Sequence, residues 1–198
     1  MRIRIAQLYT IAELQEQFPD GYRAALAQYQ RDVDRDPYIP WQDEIADSLK
    51  AVYEAAGVSY SDLAFGVCYR GTGVRIKSDG LDIAGRRAWA WLENNLLSGL
   101  RVPFKGKRRW EVSKYGAAYR AGVVPPCPLT GYCADEDFLD SLRESIKDGA
   151  TVKDALSWLP AVAARLLESE LEYQRSEEAF FEEAACNLWE YDSEGNRV

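Results

Sequence analysis

The sequence predicts an α+β protein dominated by helices, with one small antiparallel sheet. Apolar residues recur at helical spacing over most of the chain. Only the N-terminal strand, a central hairpin and a possible C-terminal strand show the β-rich pattern of a sheet. A chain of 198 residues can bury its own core, so we expect a single domain over residues 1–198.

The first hundred residues are predicted to contain a strand, a hairpin and four helices. The N-terminal "RIRIAQLY" alternates charged and apolar residues, as a half-buried strand does. Thr10 and Glu13 have the spacing of a capping box and predict a short helix after them. Asp20 is expected to cap the second helix. Two more are expected near Trp41 and over 83–100, on either side of a hairpin with a Gly-Thr-Gly tip.

The second half is predicted to begin with an irregular excursion over 101–134, which contains four prolines and four glycines. Asp135 or Asp137 is then expected to cap a helix, and Thr151 another. The chain is predicted to continue as one long acidic helix over about 159–187. A strand and a turn within "LWEYDSEGNRV" complete the chain.

The chain contains no histidine, and this absence excludes several kinds of site. Ser-His and Cys-His nucleophile pairs, histidine acid/base catalysis and most mixed zinc sites require that residue. The four cysteines are scattered and include no Cys-x-x-Cys pair. We therefore expect no enzyme, no metal and no other cofactor, with a carboxylate-based hydrolase as an alternative.

The lack of a recognisable membrane span or secretory signal predicts a cytoplasmic protein without a membrane partner. No apolar run approaches the roughly 20 residues of a membrane span. The N-terminus lacks the long apolar region of a secretory signal.

Charge is distributed unevenly along this chain of net charge −8. Residues 101–134 hold seven basic residues and one acidic residue, whereas 135–198 hold six and seventeen. Two interpretations of the basic and aromatic island in the excursion stay open: internal pairing with the protein's own acidic helices, or direct contact with nucleic acid. The island consists of Lys105, Lys107, Arg108, Arg109, Trp110, Lys114, Tyr115, Tyr119 and Arg120.

The segment from Glu168 to Glu183 is predicted to present carboxylates opposite the apolar stripe of the long helix. Seven acids in sixteen residues give about one carboxylate per 3.4 Å of helix axis, close to the charge spacing along one DNA strand. A solvated helix face is the ordinary alternative. With the acids at 135–137, the expected partner-binding residues are Glu168, Glu172, Glu178, Glu182, Glu183, Asp135, Glu136 and Asp137.

Glu170 and Glu177 differ from these acids because the same helical wheel places them on the apolar stripe. A carboxylate there is costly to desolvate unless it is paired. Each is therefore expected to require a cation or an exposed edge.

Over "AWAWLENNLLSGLRVPFKGKRRWEVSKYGAAYRAGVVPPCPLTGYCADEDFLDSL", and again at "LYTIAEL", the sequence resembles small accessory proteins of bacteriophages and prophages. The likeness covers most of the chain, and some of those proteins are labelled as the antitoxin of a toxin–antitoxin stability system. The resemblance implies a setting of conflict inside a bacterial cell and supplies no catalytic residue.

These observations together predict a non-enzymatic phage anti-defence protein of anti-CRISPR or anti-restriction type. Its acidic helices would bind a host protein with a basic nucleic-acid-binding surface. The most specific version of this hypothesis is that the helices mimic DNA. An antitoxin that neutralises a basic toxin and a direct nucleic-acid binder acting through residues 105–120 are the alternatives.

Overall fold

The computed structural model describes residues 7–66, 72–97 and 129–198, and within them it contains seven helices and four short strands. The helices are α1 Ile11–Gln17, α2 Pro19–Arg35, α3 Gln42–Ala55, α4 Gly85–Asn95, α5 Ala134–Lys147, α6 Val152–Gln174 and α7 Glu177–Cys186. The strands are β1 Tyr9–Thr10, β2 Tyr60–Ala64, β3 Gly73–Ile76 and β4 Glu190–Tyr191. The predicted helix-dominated α+β class is confirmed. None of the described helices combines the length and apolar character needed to cross a membrane.

The described strands pair into two antiparallel sheets of two strands each. β1 pairs with β4, and Tyr9 lies opposite Tyr191. β2 pairs with β3, and Tyr60 lies opposite Ile76, so the central hairpin is confirmed. The single predicted sheet is thus replaced by two, while residues 2–6 of the predicted N-terminal strand lie outside the described ranges.

The chain divides into two compact units, whereas the expectation of one domain stays a prediction. The terminal unit comprises Met1–Ile39 and Ser169–Val198, and the central unit comprises Pro40–Glu168. In the central unit α3 and α4 pack against α5, and the buried hydroxyl of Tyr53 donates to the carbonyl oxygen of Leu156 at 3.0 Å. In the terminal unit a core cluster joins α1, α2, α7 and β4: Ile11, Leu14, Tyr22, Ala25, Phe180, Ala184 and Tyr191.

The side-chain cap predicted for α1 is present, whereas the one predicted for α2 is not. At α1 the backbone N–H of Thr10 donates to Glu13 at 2.9 Å and that of Glu13 to the Thr10 hydroxyl at 3.3 Å, which is the predicted capping box. The prediction for Asp20 is wrong, because α2 begins one residue earlier at Pro19 and has no side-chain cap. Proline fits the first helical position, where its missing N–H costs nothing.

The prediction of one helix over about 159–187 is wrong, because α6 ends at Gln174 and α7 begins at Glu177. Ser176 has extended backbone angles, and its hydroxyl accepts a hydrogen bond from the N–H of Ala179 at 3.1 Å. A serine that caps a new helix stabilises this break. The axial charge spacing and the helical wheel both assumed an unbroken helix, so neither applies across residue 176.

Two glycines allow the C-terminal turn to lie directly against α2. A Cβ atom at Gly21 would stand 2.5 Å from the carbonyl oxygen of Ser193. Gly195 has a φ of +88°, and a Cβ there would collide with the carbonyl oxygen of Gly21. Because two backbone segments contact each other here, no side-chain movement could relieve the clash of an added Cβ atom.

We expect Gly195→Ala to lower the free energy of unfolding by about 3 kcal/mol, since it adds a clash to left-handed strain. Gly149→Ala is the control, because Gly149 has a similar φ of +95° and open space around it. It should cost about 1 kcal/mol from strain alone. Urea denaturation measures both variants, and equal losses would contradict the close backbone contact.

Candidate functional site: an acidic groove in the terminal unit

Side chains from three helices of the terminal unit line an open groove of about 510 Å³. α1 and α2 contribute one residue each, and α7 contributes four. The lining residues of this acidic groove are Gln15, Tyr22, Glu177, Glu178, Phe181 and Glu182. Carboxylates and aromatic rings therefore make up most of its wall.

The apolar residues of α7 set the direction of its glutamates. Phe180 and Ala184 are both buried in the core cluster, and the ring centre of Phe180 lies 5.7 Å from that of Tyr22. At about 100° per residue, the four groove residues of α7 lie on the side of the helix next to the face that packs into the core. Packing of Phe180 thus places the glutamates beside the ring of Tyr22.

The groove carboxylates have no cation of their own among the described residues. Neither Glu177, Glu178 nor Glu182 forms an ion pair there. Glu178 and Glu182 are four residues apart, a spacing at which like charges on a helix repel. Glu182 accepts a hydrogen bond from the hydroxyl of Tyr173 at 2.8 Å, and α7 has no basic residue in its last turn. Within the described part of the chain, no ion pair therefore compensates the negative charge of the groove.

The described basic residues of the terminal unit number five, and each one is bound away from the groove. Three form ion pairs with aspartates, one contacts a glutamine and one lies over an aromatic ring. The pairs are Arg23 with Asp20, Arg35 with Asp32, Arg175 with Asp34, Arg31 with Gln28, and Arg197 with Trp189. None of these five arginines is therefore paired with a groove carboxylate.

The two units differ sharply in formal charge. The terminal unit contains 15 acidic and seven basic residues, a net charge of −8, whereas the central unit contains 17 of each. The whole net charge of the protein, −8, thus belongs to the unit that contains the acidic groove.

Tyr22 contributes a buried polar atom to the groove lining. The side chain is 5% exposed, and its hydroxyl oxygen completes no hydrogen bond within the described part of the chain. Burial, and then the nearby carboxylate of Glu177, raise the pKa of Tyr22 to about 12. The oxygen itself has almost no accessible surface, so it faces the protein and the neighbouring Glu177, and a ligand in the groove does not reach it.

The remaining predicted acids of α6 and α7 are exposed and mostly without ion pairs. Glu168 and Glu172 are exposed, and neither forms an ion pair with a described residue. Glu183 is also exposed and accepts a hydrogen bond from Tyr29 at 2.8 Å. These three lie outside the groove lining.

The two carboxylates expected on the apolar stripe are accommodated without a described cation. Glu170 is half-buried and accepts a hydrogen bond from the amide of Gln174 at 3.2 Å. Glu177 is exposed, because the break at Ser176 resets the helical phase and moves it off the stripe. Tyr173, which precedes the break in the last turn of α6, is 45% exposed.

Asp135 is not available to a partner, which corrects its predicted role. It is fully buried and accepts hydrogen bonds from the N–H of Leu129 at 2.8 Å and from the N–H and hydroxyl of Thr130 at 2.7 and 2.9 Å. It is also not the cap of α5, whose N-cap position is Cys133. Glu136 is half-buried and Asp137 exposed.

Sequence reasoning did not place Gln15, Tyr22 or Phe181 in a site. In the sequence, Tyr22 and Phe181 fit the apolar spacing of their helices, and Gln15 carries no signal for a site. The predicted basic and aromatic island, Lys105 to Arg120, lies outside the described residues, as do Cys68 and Cys127. Over the described ranges no three cysteine, aspartate or glutamate side chains are grouped to hold a metal ion.

No protein-family model, no curated protein and no solved structure matches this chain.

Neutralising Asp135 should destabilise the protein. In Asp135→Asn an amide replaces a carboxylate that accepts three hydrogen bonds, and we expect a loss of about 2–3 kcal/mol in the free energy of unfolding. Asp137→Asn is the matched control: partial desolvation of this exposed residue and then the neighbouring Glu136 raise the pKa of Asp137, so removing its charge should cost nothing. Urea denaturation compares them, and a stable Asp135→Asn variant would contradict the structural role.

Stability should fall at alkaline pH through the buried tyrosines. Burial is the main cause that raises the pKa of Tyr22 and of Tyr191 to about 12, above the value of about 10 for a free tyrosine. The folded state holds these protons more tightly, so their contribution is complete below about pH 10 and is lost as the pH rises towards 12. Urea midpoints between pH 8 and 12 test this, and Tyr22→Phe with Tyr191→Phe should flatten the decline.

Proposed function

We propose that this protein is a non-enzymatic inhibitor that binds the basic, nucleic-acid-binding surface of a host defence complex in the bacterial cytoplasm. It acts through the carboxylates of the terminal unit and occupies the surface that otherwise holds phosphates. The partner is a protein of CRISPR or restriction type, which fits the resemblance of the sequence to bacteriophage accessory proteins.

The observation that carries this proposal is the absence of a described cation beside the glutamates of α7. Most surface charges in a small domain are balanced by neighbours, and like charges one helical turn apart lower stability. A basic partner would relieve that repulsion. Its lysine and arginine groups would be steered by the net charge of the terminal unit, −8, at a rate that falls with ionic strength.

The break between α6 and α7 bears on whether the acidic helices can mimic DNA. A regular ladder of carboxylates along one axis, as DNA mimicry supposes, is interrupted at Ser176. The proposal therefore depends on local negative charge in the terminal unit and not on axial spacing that copies a DNA strand.

The test combines capture, DNA loading and two charge-matched variants. Immobilised protein captures its partner from host lysate, and the purified partner is then assayed for binding to labelled DNA. One variant neutralises four carboxylates of the terminal unit that form no ion pair with a described residue: Glu172→Gln, Glu177→Gln, Glu178→Gln and Glu182→Gln. The control neutralises four carboxylates that have their own cation: Asp20→Asn, Asp32→Asn, Asp47→Asn and Asp140→Asn.

We expect the wild-type protein to block DNA loading of its partner, and the block to weaken as salt rises. The first variant should bind at least about tenfold more weakly, since each unpaired carboxylate contributes most when it meets a cation. The control should stay close to wild type. A shift of free DNA by the protein alone would favour the direct nucleic-acid binder, and rescue from a basic toxin without any effect on DNA loading would favour the antitoxin.

A further inference from the structure

A proline lies inside α6 and removes one hydrogen bond from the helix. Pro160 is buried within the continuous helix Val152–Gln174. Because its nitrogen carries no hydrogen, the carbonyl oxygen of Leu156, four residues earlier, receives no donor at the usual intrahelical position. Buried backbone carbonyls are almost always paired, and one that loses its donor lowers stability. The helix therefore needs a substitute donor at Leu156.

Tyr53 of α3 reaches the same carbonyl from outside the helix. Its hydroxyl donates to the carbonyl oxygen of Leu156 at 3.0 Å, and both residues are fully buried. The ring of a helical proline also crowds the carbonyl four residues before it, which favours a donor beside the helix over one within it. The donor that Pro160 lacks and the donor that Tyr53 supplies thus concern one oxygen atom.

We propose that Tyr53 and Pro160 form a conformational clamp, in which the proline leaves a hinge in α6 and the tyrosine hydroxyl holds that hinge closed. When the hydroxyl is removed, the turn over 157–161 opens locally while the rest of the central unit stays folded. The clamp lies wholly within the central unit. It goes beyond the proposed function, which depends on the terminal unit.

Both sides of the hinge are anchored in the central unit. Before the proline, the N–H groups of Val152 and Lys153 donate to the carbonyl oxygens of Ile83 and Leu81 at 3.0 and 3.1 Å. Beyond the proline, the buried residues of the same unit are Val162, Ala163, Ala164 and Leu167. Movement that follows the loss of the hydroxyl is therefore confined to the turn between these anchors.

Tyr53 is held in position by contacts that do not involve its hydroxyl. Its ring centre lies 4.6 Å from that of Tyr60, and its backbone oxygen accepts from the N–H of Val58 at 3.0 Å. Burial, and then the nearby Tyr60, raise the pKa of Tyr53, so the hydroxyl keeps its proton in the folded protein. Phenylalanine retains the ring, so Tyr53→Phe isolates the effect of the hydroxyl.

A double-mutant cycle measured by urea denaturation tests the clamp. Tyr53→Phe alone should raise the equilibrium constant for unfolding at least about tenfold, because the carbonyl of Leu156 stays buried without this donor. Pro160→Ala restores an N–H that can donate to the same carbonyl. In that background Tyr53→Phe should raise the constant less than about threefold.

Tyr29→Phe is the matched control for the cycle. The hydroxyl of Tyr29 donates to Glu183 at 2.8 Å, and both residues belong to the terminal unit. Its loss should have the same effect with and without Pro160, within about twofold. If Tyr53→Phe also has the same effect in both backgrounds, the two residues are not coupled and the proposal is overturned.

Native-state hydrogen exchange tests whether the hinge opens locally. In Tyr53→Phe the amides of residues 161–164 should exchange at least about tenfold faster relative to the most protected amides of α5. This difference should disappear when Pro160→Ala is added. Equal acceleration in both helices would mean that the whole unit is destabilised without a hinge, and it would overturn the proposal. Neither outcome depends on whether the protein blocks DNA loading of a partner.

Discussion

The geometry of the terminal unit depends on how the chain reverses between α6 and α7. The guanidinium of Arg175 bonds to the carboxylate of Asp34 at 2.6 Å, and the backbone oxygen of Arg175 accepts from the amide of Gln30 at 2.9 Å. Both partners lie in α2, so the break is anchored on the same helix that provides Tyr22. Ser176 then begins α7 and sets the phase that brings Glu177, with the groove glutamates after it, to that tyrosine.

The groove has several local features that lower the stability of the fold, whereas the rest of the terminal unit is well packed. Two glutamates repel one another across one turn, and a buried hydroxyl has no described partner. Elsewhere in the unit the side chains are tightly packed, and the described arginines all have partners. Sequences violate local rules mainly where function requires it, and this contrast marks the groove as the functional candidate.

Sequence reasoning succeeded where the signal was local and failed where it required tertiary context. The capping box at Thr10 and the central hairpin depend on neighbours in sequence, and both are confirmed. The break at residue 176 had a local signal, a serine followed by two acids, but it was hidden within a long acidic run. Asp135 resembled a helix cap, and only the folded loop shows that its acceptors are used by Leu129 and Thr130.

The charge distribution and the groove have different physical roles. The net charge of −8 on the terminal unit acts over about a Debye length, some 8–10 Å at physiological salt, and increases the rate of encounter with any basic surface. Such a field cannot by itself distinguish one basic protein from another. Short-range contacts, such as those that the carboxylates and the Phe181 ring of the groove would offer a partner, can make that distinction. Specificity would therefore reside mainly in the dissociation rate, which responds to short-range contacts and is insensitive to the surrounding acids.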